Sequence, residues 1–397
     1  MEYLSDRVKS LAVSQTLAMA QKSRELKARG LDIISLSLGE PDFNTPDYIK
    51  EAAKKAIDDN YSTYPPVPGY KDLLEAISEK FRKENGLSYT TDQIIVSAGA
   101  KHSLINVILS IVNPGDEVII PAPYWVSYYD QVILAGGKPV IVSASLENDF
   151  KISPEQLEAA ITKKTRLVMF NSPSNPTGMV YSRDEMEKLA RVIEKHEGVF
   201  VMSDEIYEHI IFEGEHVSMA SFDFIYDRVI TVNGVSKGYA MTGWRIGYIG
   251  APAWIAEACN KLQGQFTSGV CSIAQRAALA ALKGTGESQA IMRDAFLRRR
   301  NLICGLLKDV KGLKLKVPQG AFYVMPDISY FLGKTDGETR INSSDDLALY
   351  LLDKAQVATV GGEGFGAPEC IRISYATSDE LLVIAVKRIK AALERLE

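Results

Sequence analysis

The sequence is poor in the residues that build metal sites and disulfide frameworks. Its 397 residues include only four histidines and four cysteines, and no C-x-x-C pair occurs. The cysteines are Cys259, Cys271, Cys304 and Cys370. Structural zinc sites need closely spaced Cys and His ligands, and small secreted domains need many cysteines. We therefore expect no metal and a reducing compartment.

Long apolar runs and an excess of positive charge are also missing. No stretch reaches 18 consecutive apolar residues, and the first 20 residues lack the apolar segment of a secretory signal. The formal net charge is −5, so nothing indicates nucleic acid or an anionic membrane as a partner. These features favour a cytoplasmic protein that acts on small molecules.

The sequence is rich in short apolar segments that contain Val and Ile. Between residues 93 and 251, such segments alternate with amphipathic, helix-like ones: QIIVSAG, DEVIIPAP, KPVIVSAS, RLVMFNSP, VFVMSDEIY, DRVITVNG and WRIGYIGA. Most are apolar throughout, which is typical of strands buried on both faces of a mostly parallel sheet. The pattern predicts an α/β fold with helices covering a seven-stranded sheet.

The regular alternation of apolar and amphipathic segments ends after about residue 284. The short strands and longer helices predicted beyond it indicate a smaller α+β unit. A chain of this length exceeds one ordinary core. We expect a large domain over 46–285. The N-terminal segment is too short for its own core, so we expect 1–45 to join 286–397 in a small domain.

Polar and aromatic side chains follow the ends of the predicted strands. Ligands of an open α/β sheet bind beyond the carboxyl ends of its strands, so these side chains are expected to meet. The residues at these strand ends, together with the small Gly99 and Ala100 beside them, are Gly99, Ala100, Lys101, Trp125, Asn175, Asp204, Tyr207, Ser236 and Lys237. Singly, each has an ordinary explanation, since an aspartate there is usually a helix cap and an aromatic residue usually belongs to the core.

Two cations are harder to explain by packing. Lys101 stands at the predicted start of a helix, where the helix dipole disfavours a cation unless an anion also binds there. Arg245 lies in NGVSKGYAMTGWRIG, a segment that otherwise looks buried. A buried guanidinium needs an acidic partner, and none is near it in sequence. A bound phosphate would account for both cations.

The set as a whole fits pyridoxal 5′-phosphate. That cofactor needs a lysine for its aldehyde, a carboxylate for its protonated ring nitrogen, an aromatic platform, and a helix start with cations for its phosphate. The sequence offers Lys237 for the aldehyde, Asp204 for the ring nitrogen and Trp125 for the platform. The residues expected to bind the phosphate are Gly99, Ala100, Lys101, Ser236 and Arg245.

Four segments resemble the signatures of class I aminotransferases of fold type I: NSPSNPTG, SDEIYEHI, VNGVSKGYAMTGWRIGY and IRISYATS. More narrowly, the sequence is similar to type Ib aspartate aminotransferases and to bifunctional aspartate/prephenate aminotransferases. The resemblance covers essentially the whole chain, from GEPDFNTP at 39–46 to the last helix. It implies a pyridoxal phosphate enzyme with a large sheet domain and a smaller domain.

The resemblance also implies catalytic roles. Lys237 would form the Schiff base with the cofactor and, once released, move the substrate proton. Asp204 would keep the ring nitrogen charged. Tyr207 and Asn175 would hydrogen-bond the phenolic oxygen of the ring.

The resemblance implies a substrate site as well. Arg372 would bind the α-carboxylate, and Lys101 would replace the partner-subunit arginine that binds the distal carboxylate in animal-type enzymes. Thr16 together with Lys101 matches a pair associated with prephenate use. The full substrate set is Gly39, Trp125, Asn175, Arg372, Lys101 and Thr16.

Tyr64 resembles a tyrosine that reaches the phosphate of the neighbouring subunit, which implies a homodimer with shared active sites. Two positions depart from the family pattern. Gly234 stands where the family has a phosphate-binding serine. Arg276 lies within a predicted helix, although its segment corresponds to the one that carries the distal-carboxylate arginine.

We expect transamination between L-aspartate and 2-oxoglutarate, giving oxaloacetate and L-glutamate, with prephenate as a second acceptor. Another enzyme of the same fold stays an alternative: an aromatic or alanine aminotransferase, or a C–S lyase. A non-catalytic binding protein that keeps the fold is a further alternative. Lys101 argues against a wholly apolar side-chain pocket, and the retained Lys237 and Asp204 argue against a non-catalytic protein.

Overall fold

A seven-stranded sheet forms the centre of the larger part of the molecule. The computed structural model of the chain describes residues 3–397. The strands of the described residues, which belong to this sheet and to two smaller ones, are β1 (Ile34–Ser35), β2 (Ile94–Ser97), β3 (Glu117–Ala122), β4 (Lys138–Ser143), β5 (Thr165–Asn171), β6 (Phe200–Asp204), β7 (Val229–Gly234), β8 (Gly247–Gly250), β9 (Tyr323–Val324), β10 (Val357–Ala358), β11 (Val360–Gly361) and β12 (Ile371–Ser374).

The helices separate these strands along the chain. They are α1 (Asp6–Lys9), α2 (Gln15–Ala28), α3 (Asp47–Asp58), α4 (Lys71–Lys80), α5 (Ala100–Ile111), α6 (Ser127–Leu134), α7 (Pro154–Ala160), α8 (Arg183–Glu194), α9 (Ala253–Phe266), α10 (Ser272–Leu282), α11 (Glu287–Lys308), α12 (Ser344–Lys354) and α13 (Asp379–Leu393). Among the described helices, none combines the length and the apolar character that a membrane crossing requires.

The seven apolar segments form one sheet in the order β2-β8-β7-β6-β5-β3-β4. Strands β3 to β7 pair in parallel, whereas β8 runs antiparallel to β7 and β2. The prediction of a mostly parallel seven-stranded sheet is therefore confirmed. Because β5, β6 and β7 are parallel neighbours, their carboxyl ends meet at one edge.

Helices cover both faces of this sheet. On one face, α5 and α9 pack with strand side chains such as Val118 and Ile230. On the other face, α4, α8 and α10 pack with side chains such as Ile119 and Val201. Helix α8 shows the local cause: Ser182 caps its first turn, and its apolar positions repeat at helical spacing toward the sheet.

A further hydrophobic cluster gathers the C-terminal elements α11, α12, α13, β9 and β12. The N-terminal segment joins it, because β1 pairs in parallel with β10, and Ile34 and Leu36 belong to the same cluster. Strands β11, β12 and β9 form a small antiparallel sheet there. The domain limits of 46–285 and of 1–45 with 286–397 stay a prediction.

Candidate active site

One cavity of about 420 Å³ lies at the carboxyl edge of the central sheet. Elements far apart in sequence contribute to it, including the residues after β5, β6 and β7, the start of α5, and β12. Its lining includes the sequence-predicted residues Thr16, Gly39, Ala100, Lys101, Trp125, Asn175, Asp204, Tyr207, Ser236, Lys237, Arg245 and Arg372. The structure thus brings these candidates together.

Lys237 follows β7 and is half-buried. Its Nζ donates a hydrogen bond to the Gly39 carbonyl oxygen at 2.5 Å. Desolvation lowers the pKa of Lys237 to about 8, with the nearby guanidinium groups of Arg372 and Arg245 acting in the same direction and Glu40 opposing them. A fraction of this amine is therefore neutral near pH 7, as a nucleophile or base requires.

Asp204 ends β6 with its carboxyl group buried. The Tyr128 hydroxyl donates to its Oδ2 at 2.7 Å, and the Ile206 backbone N–H donates to its Oδ1 at 3.3 Å. Burial raises the pKa of Asp204 to about 6, while these hydrogen bonds and the charge of Lys237 act against that rise. The group is a carboxylate at neutral pH, and it suits a cationic ring nitrogen.

Arg372, on β12, is a fully buried cation without a carboxylate partner among residues 3–397. Its Nη1 donates to Asn175 Oδ1 at 2.9 Å and its Nη2 to the Ser37 carbonyl oxygen at 2.5 Å. The guanidinium carbon lies 4.7 Å from the ring centroid of Tyr323 and 5.0 Å from that of Phe365. A buried guanidinium without an anion favours binding of a carboxylate from outside.

Lys101 occupies the first turn of α5, as predicted. Its Nζ lies 4.8 Å from the centre of the Trp125 ring. The side chain is exposed at the cavity mouth, yet the surrounding walls desolvate its ammonium group and lower its pKa, and Arg245 adds to this effect. Helix α5 begins without a side-chain cap, so its first backbone N–H groups suit an anion.

Gly99 is the N-cap residue of α5, directly before this helix start. Its φ is +86°, and a Cβ there would stand 2.2 Å from Arg245 Nη2. The glycine therefore lets the guanidinium of Arg245 lie against the helix start. Contrary to the sequence-based expectation, Arg245 is exposed and needs no acid, since it donates to the carbonyl oxygens of Thr242 and Ala98 at 2.8 and 3.2 Å.

The two departures from the family pattern have structural reasons. A Cβ on Gly234 would stand 2.8 Å from the Ile246 carbonyl oxygen and 2.9 Å from Gly247 Cα, so a serine does not fit there without a backbone shift. Arg276 lies in α10 outside the cavity and pairs with both carboxylate oxygens of Asp72, at 2.6 and 2.5 Å. Tyr64 also lies outside the cavity and is 95% exposed.

Residues 31–389 match the family of class I and II aminotransferases. The chain belongs to this family. It is 51% identical over 401 residues to the aspartate/prephenate aminotransferase of Cereibacter sphaeroides, with 98% of each chain covered. It is 49% identical to a bifunctional aspartate aminotransferase and glutamate/aspartate-prephenate aminotransferase of Petunia hybrida, covering 98% of this chain and 82% of that one.

Solved structures give the same fold for this aminotransferase. An aspartate aminotransferase from Rhizobium meliloti superposes with a TM-score of 0.96 at 43% identity and covers 100% of both chains. The Thermus thermophilus aspartate aminotransferase with maleate gives 0.93 at 42% identity, covering 99% of this chain and 100% of the other. The sequence-based expectation of a class I aminotransferase is confirmed.

Several polar residues in the cavity of this aminotransferase had escaped prediction. Asn171 donates through Nδ2 to the Asp204 carbonyl oxygen at 2.8 Å. Tyr323 shares a hydroxyl–hydroxyl hydrogen bond of 2.7 Å with Tyr207. Only Asn171 carried a usable signal, because it is the last residue of β5. The other missed residues include Glu40 and Tyr128.

Proposed function

We propose that this aminotransferase uses pyridoxal 5′-phosphate to move the amino group between L-aspartate and 2-oxoglutarate, giving oxaloacetate and L-glutamate. The observation that carries the proposal is the buried, carboxylate-free Arg372 in the same cavity as Lys237 and Asp204. Relatives and solved structures that match over 99–100% of both chains are named aspartate aminotransferases, which supports aspartate as the donor.

The chain's own groups fit the cofactor. When bound, pyridoxal phosphate supplies an aldehyde that bonds to amines and a ring that accepts the electron pair of the substrate Cα. Lys237 would hold the aldehyde, Asp204 the ring nitrogen and Trp125 one ring face. The uncapped start of α5, with Ser236 and Arg245 beside it, would hold the phosphate.

Two cations would orient the substrate. Arg372 binds the α-carboxylate, since its planar guanidinium can bond both carboxylate oxygens. Asn175, which accepts a hydrogen bond from Arg372, and Gly39 line the same cavity. Lys101 binds the second carboxylate. Because aspartate and 2-oxoglutarate both carry two carboxylates, one pair of cations serves both the donor and the acceptor.

Lys237 would perform the proton transfer. With its pKa near 8, its Nζ gives and takes a proton close to neutral pH, so it can remove the proton from the substrate Cα and return it. The buried hydroxyl pair of Tyr207 and Tyr323 would fix the phenolic side of the ring. Both hydroxyls stay protonated, because burial raises the pKa of each tyrosine.

We further propose a homodimer in which Tyr64 reaches the phosphate site of the partner subunit. The support is that Tyr64 is 95% exposed and lies outside the cavity of its own chain. An almost fully exposed tyrosine followed by two prolines gains nothing from its own core. A second chain would bury it and complete the site.

Prephenate is a second candidate acceptor. Thr16 and Leu17, at the start of α2, border the cavity together with Lys101. The cavity therefore has apolar and hydroxyl-bearing surface near the distal cation, as a cyclic dicarboxylate requires. Relatives at 45–51% identity that carry prephenate in their names support this candidate.

A panel of donors and acceptors tests the proposal. Purified enzyme with added pyridoxal phosphate is given aspartate, glutamate, phenylalanine or alanine with 2-oxoglutarate, oxaloacetate or prephenate. We expect the highest kcat/KM for aspartate with 2-oxoglutarate. A higher value for phenylalanine or alanine contradicts the aspartate assignment. In a separate assay, release of pyruvate and ammonia from a β-substituted amino acid also contradicts it.

A further inference from the structure

We propose that Tyr128 is the positioning residue for Asp204: its hydroxyl holds one carboxylate oxygen and keeps the group ionised and oriented for the cofactor ring. This inference rests on the proposed use of pyridoxal phosphate. It concerns a residue that the chemistry of the cofactor does not itself require, and that the sequence pattern would assign to the hydrophobic core.

The geometry isolates Tyr128 as the main support of the carboxylate. Tyr128 and Asp204 are 2% and 5% exposed, and the hydroxyl donates to Asp204 Oδ2 at 2.7 Å. The other oxygen accepts only the longer bond from the Ile206 N–H, at 3.3 Å. Among residues 3–397, Tyr128 is the only side-chain donor to this carboxylate.

The ring of Tyr128 has a second contact that matters for the site. It meets the Trp125 ring edge-on, with centroids 5.5 Å apart and planes at 90°. Helix α6, which carries Tyr128, is tied to the start of α5 by Gln131 Nε2, which donates to the Lys101 carbonyl oxygen at 3.2 Å. One helix therefore orients the aromatic platform and the carboxylate together.

The charges around Asp204 show why the hydroxyl is needed. Lys237 faces it from the segment after β7, and Glu205 and Tyr207 lie on its own segment. Burial pushes the pKa of Asp204 up to about 6, and the Tyr128 hydrogen bond is the largest influence that opposes this rise. Without the hydroxyl, the group takes up a proton at higher pH and no longer attracts a cationic ring nitrogen.

The test is Tyr128→Phe, which keeps the ring and its packing on Trp125 but removes the donor. Tyr89→Phe is the matched control, because Tyr89 is 3% exposed and its hydroxyl bonds Thr231 Oγ1 at 3.0 Å, away from the cavity. The measurement is the affinity of each apoenzyme for pyridoxal phosphate from pH 5 to 9, followed by visible absorbance, with circular dichroism to verify folding.

We expect Tyr128→Phe to bind the cofactor on the order of tenfold more weakly at neutral pH. As the pH is lowered, its affinity for the cofactor should begin to fall at a higher pH than that of the wild type, because Asp204 takes up a proton earlier. Tyr89→Phe should keep the wild-type profile. A stronger donor, Tyr128→3-fluorotyrosine, should shift the fall-off to lower pH. This second variant also serves if Tyr128→Phe does not fold.

An unchanged affinity and pH profile in the position-128 variants overturns the role of Tyr128 while leaving the proposed function intact. The same loss in Tyr89→Phe also overturns it, because any buried hydroxyl would then have the same effect. A wild-type protein that binds no pyridoxal phosphate overturns both the proposed function and this inference.

Discussion

Among residues 3–397, two of the buried clusters of charged side chains differ in whether their charges are paired. Behind the active-site segment, Lys80 is 3% exposed and forms an ion pair with Glu208. Glu208 also accepts hydrogen bonds from Asn85 and Asn233, each at 2.7 Å. Burial alone would raise the pKa of Glu208, but Lys80 and two histidines outweigh it and hold that pKa well below its usual range.

The cations of the cavity cluster, in contrast, are not paired with carboxylates. Arg372 and Lys237 donate to neutral oxygens, and within residues 3–397 neither forms an ion pair. The two clusters share one chain segment: Asp204 and Tyr207 line the cavity, while Glu208 belongs to the paired network. Removing one member of the paired cluster would leave a buried charge uncompensated, whereas the unpaired cluster leaves room for anions that bind from outside.

Replacing the cavity lysine should give the largest effect. Lys237→Ala removes both the amine that holds the aldehyde and the base, so turnover of aspartate with 2-oxoglutarate should fall on the order of 10⁴-fold. Because Lys237 has no ion-pair partner, the melting temperature should not fall. Lys237→Arg is the control that keeps the charge and should be equally inactive. Turnover near the wild-type rate in Lys237→Ala would refute the role of Lys237.

Replacing the paired lysine should act on stability instead. Lys80→Ala leaves Glu208 buried without its cation, and we expect a loss of about 3–5 kcal/mol in the free energy of unfolding. Denaturant titration measures this loss. The double variant Lys80→Met/Glu208→Gln removes both charges and should lose much less. If Lys80→Ala costs no more than the double variant, the comparison between the clusters fails.

Much of the site is predictable because it stands at the ends of recognisable strands. The apolar runs locate β5, β6 and β7, and the residues just beyond them meet at one edge because the strands are parallel. Asp204 and Lys237 follow from this rule. Arg372 does not, since it lies inside β12, and only the family resemblance indicated its role.

The hydrogen-bond partners could not be predicted from the sequence. Tyr128 and Tyr323 meet Asp204 and Tyr207, which lie 76 and 116 residues away in sequence. These pairs depend on how α6 and β9 pack near the end of β6, and no local spacing encodes that. The expected burial of Arg245 was wrong. The residue follows a short turn with a left-handed φ of 58°, is exposed, and donates to backbone carbonyl oxygens instead of to an acid.

Removing the substrate guanidinium should affect every amino donor. Arg372→Ala deletes the cation for the α-carboxylate, and we expect kcat/KM to fall roughly 10²-fold or more, since a hydrogen-bonded ionic contact is lost in a buried site. Steady-state kinetics with aspartate and with alanine measure the effect. Losses should be similar for both donors, because both carry an α-carboxylate. A loss confined to aspartate would move Arg372 to the distal end of the substrate.

Lys101 should show the smallest and most selective effect. Its ammonium rests over the Trp125 ring at the cavity mouth rather than in a buried ion pair, so its contact with substrate stays partly solvated. Lys101→Ala should lower kcat/KM on the order of tenfold for aspartate and glutamate, and little for alanine or phenylalanine. Lys101→Arg, which keeps a cation, should retain most of the preference for dicarboxylic donors. Equal losses for all four donors would show that Lys101 serves the phosphate instead, and the distal carboxylate would then need another cation. Such a result would leave Arg372 as the one unpaired cation of the cavity that is matched to substrate, and would place Lys101 with Arg245 among the groups matched to the cofactor.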